Sequence, residues 1–320
     1  MIDKILVIGP GSLVGSRFVE LLSDKGIEIY GAGGELDKGQ ELKDFQSLDI
    51  TDEVQVSSVV NSFPGKYVIN FAGMTDVDGI EKAKPQDPDN QQELNENLAY
   101  KVNVLGTKYL VNVCKEAGKF PIFISTQFVF DGKNGPYDED DPLSKREDVG
   151  WYGWTKILAE KEARDSVVEN LVIRISYPYR QGYPHKSDFA RTFLKLYDEV
   201  QSGVREGFYP IFTDQKLTPT FIDDLAPAVT TLIDKNTSGI FHVTSPVMTS
   251  PYEFCCELLK VARGVKNPEE LVPRGSIVEF QQSHPEFAKR PIRGGERCDK
   301  IVKLGFTPTN WKTGINFFKG

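Results

Sequence analysis

Short apolar runs closed by glycine alternate along this chain with stretches whose apolar residues recur at helical spacing. Lys4-Ile5-Leu6-Val7-Ile8 is one such run, stopped by Gly9-Pro10-Gly11, and it reads as a buried strand. From Ser12 onward Val14, Phe18, Leu21 and Leu22 share one face, which predicts a helix closed by Gly26. Ile27 to Tyr30 reads as a second strand ended by Gly31 to Gly34, and Ser47 closes a short third. Tyr67 to Phe71, Pro121 to Ile124 and Leu171 to Ile175 read as further strands. Leu98 to Ala117 and Tyr152 to Asp165 read as helices between them. Strand, glycine turn, helix and strand in repetition predict an α/β fold: a doubly wound parallel Rossmann sheet covered on both faces.

The punctuation changes at three places. Lys82 to Asn97 is rich in Pro, Asp, Asn and Gln and reads as a surface loop. Asp131 to Gly150 reads as another, with Asp138-Glu139-Asp140-Asp141 as solvated charge. Beyond Ser176 the chain turns rich in Tyr, Pro and Gly, and Ser250-Pro251-Tyr252-Glu253 is a capping box for a helix reaching Arg263. We therefore expect a dinucleotide-binding Rossmann domain from residues 1–178 and 219–245, and a smaller α/β substrate lobe from 179–218 and 246–320.

Composition narrows the partners. A chain of 320 residues can bury a large core without disulfides. The net charge of −8 argues against nucleic acid or an anionic membrane as partner. No apolar stretch approaches the roughly 20 residues of a membrane span, and the start lacks a signal peptide's apolar region, so a cytoplasmic protein is expected. Cys114, Cys255, Cys256 and Cys298 form no CxxC, and His185, His242 and His284 are scattered. Neither a disulfide framework nor a metal site is indicated. Cys114, Cys255, Cys256 and Trp311 read as core, and His242 as structural.

Two constellations carry chemistry. In Gly9-Pro10-Gly11-Ser12-Leu13-Val14-Gly15 the glycines allow a pyrophosphate to approach the backbone at a helix N-terminus, with Ser12 at the usual middle glycine. No Gly-Lys-Ser/Thr follows, so this is not a nucleoside-triphosphatase loop. Asp49 could accept from an adenine amino group while Ile50 covers the ring; a turn or cap is the plainer role for Asp49. No acid or arginine ends the second strand, and Lys38 is the nearest cation. The expected cofactor is NADP or NAD, with the lean to NADP. The second constellation is Tyr152 and Lys156, four apart on one helix face, with Thr126 at a strand's carboxyl end. Thr126 can orient a carbonyl oxygen, Tyr152 can donate the proton, and Lys156 can lower the phenol's pKa from its usual ~10 and hold the nicotinamide ribose.

The chain resembles the extended short-chain dehydrogenase/reductases, and within them the dTDP-4-dehydrorhamnose reductase family. The resemblance rests on Asn70 to Asp78 with Glu81, Val102 to Thr107, Ser125 to Gly132, Pro136 to Pro142 and Trp151 to Lys156. It continues through Arg174 to Tyr177, Asp214-Gln215, Thr218-Pro219-Thr220, Asp223 to Ala226 and Arg290-Pro291. It implies reduction of a nucleotide-linked 4-keto-6-deoxy sugar, and a homodimer. Phe71, Ala72, Gly73, Met74 and Thr75 match the cofactor-contacting segment. Thr75, Val77, Asn103, Thr126, Gln127, Phe128, Tyr177 and Arg290 match the substrate side, with Tyr177 where the family has Trp. Arg290 and Arg293 could reach the nucleotide's pyrophosphate, against a plainer reading as surface charge. Gln127-Phe128 replaces the family's Asp-Tyr; Gln cannot exchange a proton, which argues against dehydration but leaves carbonyl reduction intact. Two alternatives stand beside reduction: a nucleotide-sugar epimerase, and a non-catalytic cofactor-binding subunit like the methionine adenosyltransferase β subunit.

Overall fold

The computed structural model describes residues 2–36, 40–183 and 185–319; Lys38 lies outside them. The strands are β1 (Lys4–Ile8), β2 (Glu28–Gly33), β3 (Asp44–Ser47), β4 (Tyr67–Asn70), β5 (Phe120–Thr126), β6 (Leu171–Ile175), β7 (Ile211–Phe212), β8 (Gly239–His242) and β9 (Arg274–Gly275). Seven of them form one sheet in the order β3-β2-β1-β4-β5-β6-β8, every pair parallel. The expected doubly wound sheet is present, with its switch point between β1 and β4. One expected boundary moves. β2 runs on through Gly31 to Gly33, because glycines there let β2 pair with β3 against Leu42 and Pro10.

The first helices are α1 (Leu13–Ser23), α2 (Glu53–Ser62), α3 (Val77–Lys82), α4 (Gln91–Glu96), α5 (Leu98–Tyr100), α6 (Gly106–Glu116) and α7 (Trp151–Arg164). They are followed by α8 (Phe189–Gln201), α9 (Leu225–Asp234), α10 (Pro251–Arg263), α11 (Ile277–Ser283), α12 (Asp299–Val302) and α13 (Trp311–Asn316). One sheet face buries Phe18, Val19 and Leu22 of α1 and Leu225, Val229 and Leu232 of α9. The other buries Val56, Val59 and Val60 of α2 and Leu110, Val111 and Cys114 of α6. A separate aromatic core joins α8, α10 and α13 through Phe193, Phe254 and Trp311, beside the two-stranded β7–β9 sheet. Helix α10 carries the expected capping box, Ser250 and Glu253 each bonding the other's backbone. All four cysteines are buried and free.

Four expectations are corrected. The segment 82–97 is not all loop, since Asn90 caps the N–H groups of Gln92 and Glu93 and starts α4. The helix expected over 98–117 widens to a π-turn at Lys101–Leu105. Glu139 is not solvated charge. It is 6% exposed, and its Oε1 accepts from the His242 N–H at 3.1 Å. β8 is the outer strand, so that N–H has no ladder partner, and Glu139 supplies the acceptor. Residues 298–302 were expected in the lobe, yet Cys298 and Ile301 pack in the main sheet's core.

Candidate active site

The site forms where β1, β4 and β5 end. Gly9 follows β1 with φ +76°, and a Cβ there would lie 2.7 Å from the Ala72 nitrogen. Glycine thus lets the segment after β4 close on the turn after β1. Ser12 caps α1 by accepting from the Gly15 N–H at 2.9 Å. Ser12, Leu13 and Val14 then line the cleft at the helix N-terminus, where the macrodipole favours an anion.

Tyr152 and Lys156 lie on α7, whose first N–H, that of Trp151, donates to Glu81 at 2.6 Å. Glu81 thereby supplies the cap that Gly150 lacks. Gly153 lets α7 sit tightly on the end of β5: a Cβ there would meet the Phe128 carbonyl oxygen at 2.4 Å. This packing brings Thr126, Tyr152 and Lys156 into one cleft of about 450 Å³. Burial pushes the Tyr152 phenol up to about 12, and the Thr126 hydroxyl draws it partly back. Burial pulls Lys156 down to about 8, against the nearby Glu160 carboxylate. The expectation that Lys156 lowers the phenol's pKa is corrected. Its ammonium donates to the Ile124 carbonyl at 2.7 Å, and Tyr152 loses hydration without gaining a cation.

The comparisons with known proteins bear on this geometry. The profile of the RmlD substrate binding domain family matches residues 3–318. The chain belongs to that family. The dTDP-4-dehydrorhamnose reductase of Aggregatibacter actinomycetemcomitans is 26% identical over 98% of this chain and 97% of its own length. The spore coat polysaccharide biosynthesis protein SpsK of Bacillus subtilis is 30% identical over 98% of this chain and 95% of its own. A crystal structure of dTDP-4-dehydrorhamnose reductase from Bacillus anthracis in complex with NADP superposes with a TM-score of 0.77 and 24% identity, covering 99% of each chain. The resemblance read from the sequence is borne out over nearly the whole length.

In this RmlD-family chain the cleft collects many of the expected residues. Phe71, Ala72, Gly73, Thr75 and Val77 line it after β4, and Phe128, Tyr177 and Arg290 line it opposite. Arg293 does not, and Arg290 donates to Asp78 at 2.6 Å. Gly9, Gly11 and Gly15 shape the turn from outside the lining. Asn103 and Met74 stand behind the wall. Asn103 accepts from the Met74 N–H at 2.9 Å and donates to the Thr155 hydroxyl at 3.0 Å, tying the β4 segment to α7. The π-turn carries Asn103 into that position. Gln127 is also displaced from its expected substrate contact: it is fully buried and accepts from Ser176 Oγ at 2.7 Å. Asp49 makes a turn, its Oδ1 accepting from the Thr51 N–H and hydroxyl, and Ile50 packs under Gly106. Glu35, exposed past the end of β2, is the first carboxylate there and escapes a reading that stops at Gly34.

Behind Lys156 lies a buried ionic cluster that sequence reasoning missed. Glu160, one helical turn on, accepts from Ser125 Oγ at 2.6 Å and takes Arg174 through two bonds of 2.8 and 2.7 Å. Arg174 also donates to His242 Nε2 at 3.2 Å, so His242 carries its proton on Nδ1, which donates to the Arg297 carbonyl. Burial, with Arg174 close by, lowers His242 to about 3, so it stays neutral. Among the described residues no three His, Cys, Asp or Glu side chains are grouped to hold a metal ion, and no helix is long and apolar enough to cross a membrane.

Proposed function

We propose that this protein is an NAD(P)H-dependent reductase of a nucleotide-linked 4-keto-6-deoxy sugar. The observation that carries the proposal is the meeting of Thr126, Tyr152 and Lys156 in one cleft with the Ser12–Val14 turn. The residues fit a dinucleotide. Gly9 permits the close approach of two strand ends, and the start of α1 presents its N–H groups to the cleft. When bound, the cofactor supplies the hydride. The Thr126 hydroxyl orients the substrate's C4 carbonyl oxygen. Tyr152, held protonated by burial, donates the proton that completes the alcohol. Lys156 holds the ribose hydroxyls and keeps that end of the cleft positive. We place Asp49 at the adenine and Asn103 as the tie that holds both walls. The cytoplasm and a homodimer complete the proposal, the latter checked by light scattering.

The test is cofactor consumption with a panel of nucleotide-linked 4-keto sugars, NADH and NADPH in parallel. One reduced cofactor consumed per sugar supports the proposal. Turnover that recycles the cofactor points to an epimerase, and binding without turnover to a regulatory subunit. The pH profile adds a second check. With Lys156 at about 8, kcat/KM for reduction is expected to fall as pH rises through about 8, as the ammonium is lost. Tyr152 stays protonated across this range and adds no second break. The break in kcat is expected at higher pH, because bound anionic cofactor favours the ammonium. A profile flat from pH 7 to 10 would remove Lys156's charge from the mechanism.

A further inference from the structure

The catalytic cleft opens into a second cavity of about 670 Å³ in the lobe, and the two share Tyr177, Phe189 and Arg290. Phe193, Phe212, Phe280 and Phe287 give the lobe cavity an aromatic lining. Tyr177 holds this junction at a φ of 39°, a conformation rare for a bulky side chain. Its ring leans on Phe189 and Phe128, with centroids 5.0 and 6.1 Å away.

Gln215 decides where the phenol's proton goes. This side chain is 2% exposed, and its Nε2 donates to the Pro291 carbonyl at 3.1 Å and to Tyr177 Oη at 2.9 Å. A carbonyl can only accept, so the amide nitrogen must face Pro291, and the same nitrogen reaches the phenol. The Tyr177 oxygen is therefore an acceptor here. Among the described residues no acceptor is bonded to its own proton.

We infer that Tyr177 donates to the diphosphate of the nucleotide sugar, and that Gln215 is the positioning residue that turns the phenol's proton toward it. The inference rests on the proposed reading for its substrate class. With the sugar carbonyl at Thr126 and Tyr152 and the nucleoside in the aromatic cavity, the diphosphate is the part that crosses the junction. Arg290 lines the same crossing, its charge partly met by Asp78. A neutral donor beside a partly compensated cation suits a diphosphate ester.

The test measures dTDP binding by calorimetry and sugar-nucleotide kinetics side by side. Tyr177→Phe is expected to raise the dTDP Kd and the substrate KM together by about ten- to a hundredfold, the range for a hydrogen bond to a charged group. The NADPH Kd, which a folding defect would move, stays within about twofold. Gln215→Leu weakens dTDP several-fold in the wild-type background and adds nothing in the Tyr177→Phe background. Full additivity would assign Gln215 to holding Pro291 and overturn its positioning role. A rise in KM without any change in dTDP affinity would move the contact to a sugar hydroxyl and overturn the inference. So would a wild-type protein that does not bind dTDP. A wild type that binds dTDP but reduces no 4-keto sugar would defeat the reductase reading and leave the Tyr177 assignment standing.

Discussion

Tyr152→Phe is expected to lower kcat for reduction by about two to four powers of ten while NADPH still binds within about threefold. The reason is proton supply. Hydride addition to a carbonyl leaves an alkoxide, and the cleft must deliver a proton to it. Thr126 is a poor acid, and the Lys156 ammonium is tied to the Ile124 carbonyl. Tyr152 remains, with its phenol held near 12 by burial and so fully protonated at neutral pH. Phenylalanine keeps the edge contact with Phe128, whose ring centre lies 5.6 Å away, so the cleft's shape survives. Single-turnover absorbance of bound NADPH separates chemistry from binding. Turnover near wild type would show that the proton comes from elsewhere.

Glu160→Gln is the second large effect, and it falls on stability. Arg174 is 0% exposed and Glu160 2%, so the guanidinium lies in a region of low dielectric. Removing its anion leaves a buried charge unpaired, which costs about 3–5 kcal/mol. The neighbours compensate only in part, the Glu139 carbonyl accepting from Arg174 at 3.4 Å. His242 is neutral and offers only Nε2, and both carboxylate oxygens of Glu296 lack a hydrogen-bond partner. Burial holds Glu296 up at about 8, largely as the neutral acid at pH 7. Urea unfolding at pH 7 measures the loss. The double variant Glu160→Met with Arg174→Met is expected to recover most of it, since an apolar pair needs no solvation. A loss below about 1 kcal/mol for Glu160→Gln would mean that water or a rearranged partner reaches Arg174.

The sheet, the glycine turn after β1 and the pairing of Tyr152 with Lys156 on α7 were legible in the order of residues alone. These features are local. β-branched runs mark the strands, a glycine turn marks the break into α1, and four-residue spacing puts Tyr152 and Lys156 on one helix face. Ser250 and Glu253 cap α10 for the same reason, because partners three residues apart find each other without help from the rest of the fold. How side chains pair across the molecule came from the packing of distant segments. Glu139 meets His242 across 103 residues, and Asp78 meets Arg290 across 212. Gln127 turned inward to Ser176, and Tyr177 took its proton's direction from Gln215. No periodicity records such pairs, because burial creates the need for a partner and the packing of distant segments selects which partner answers it.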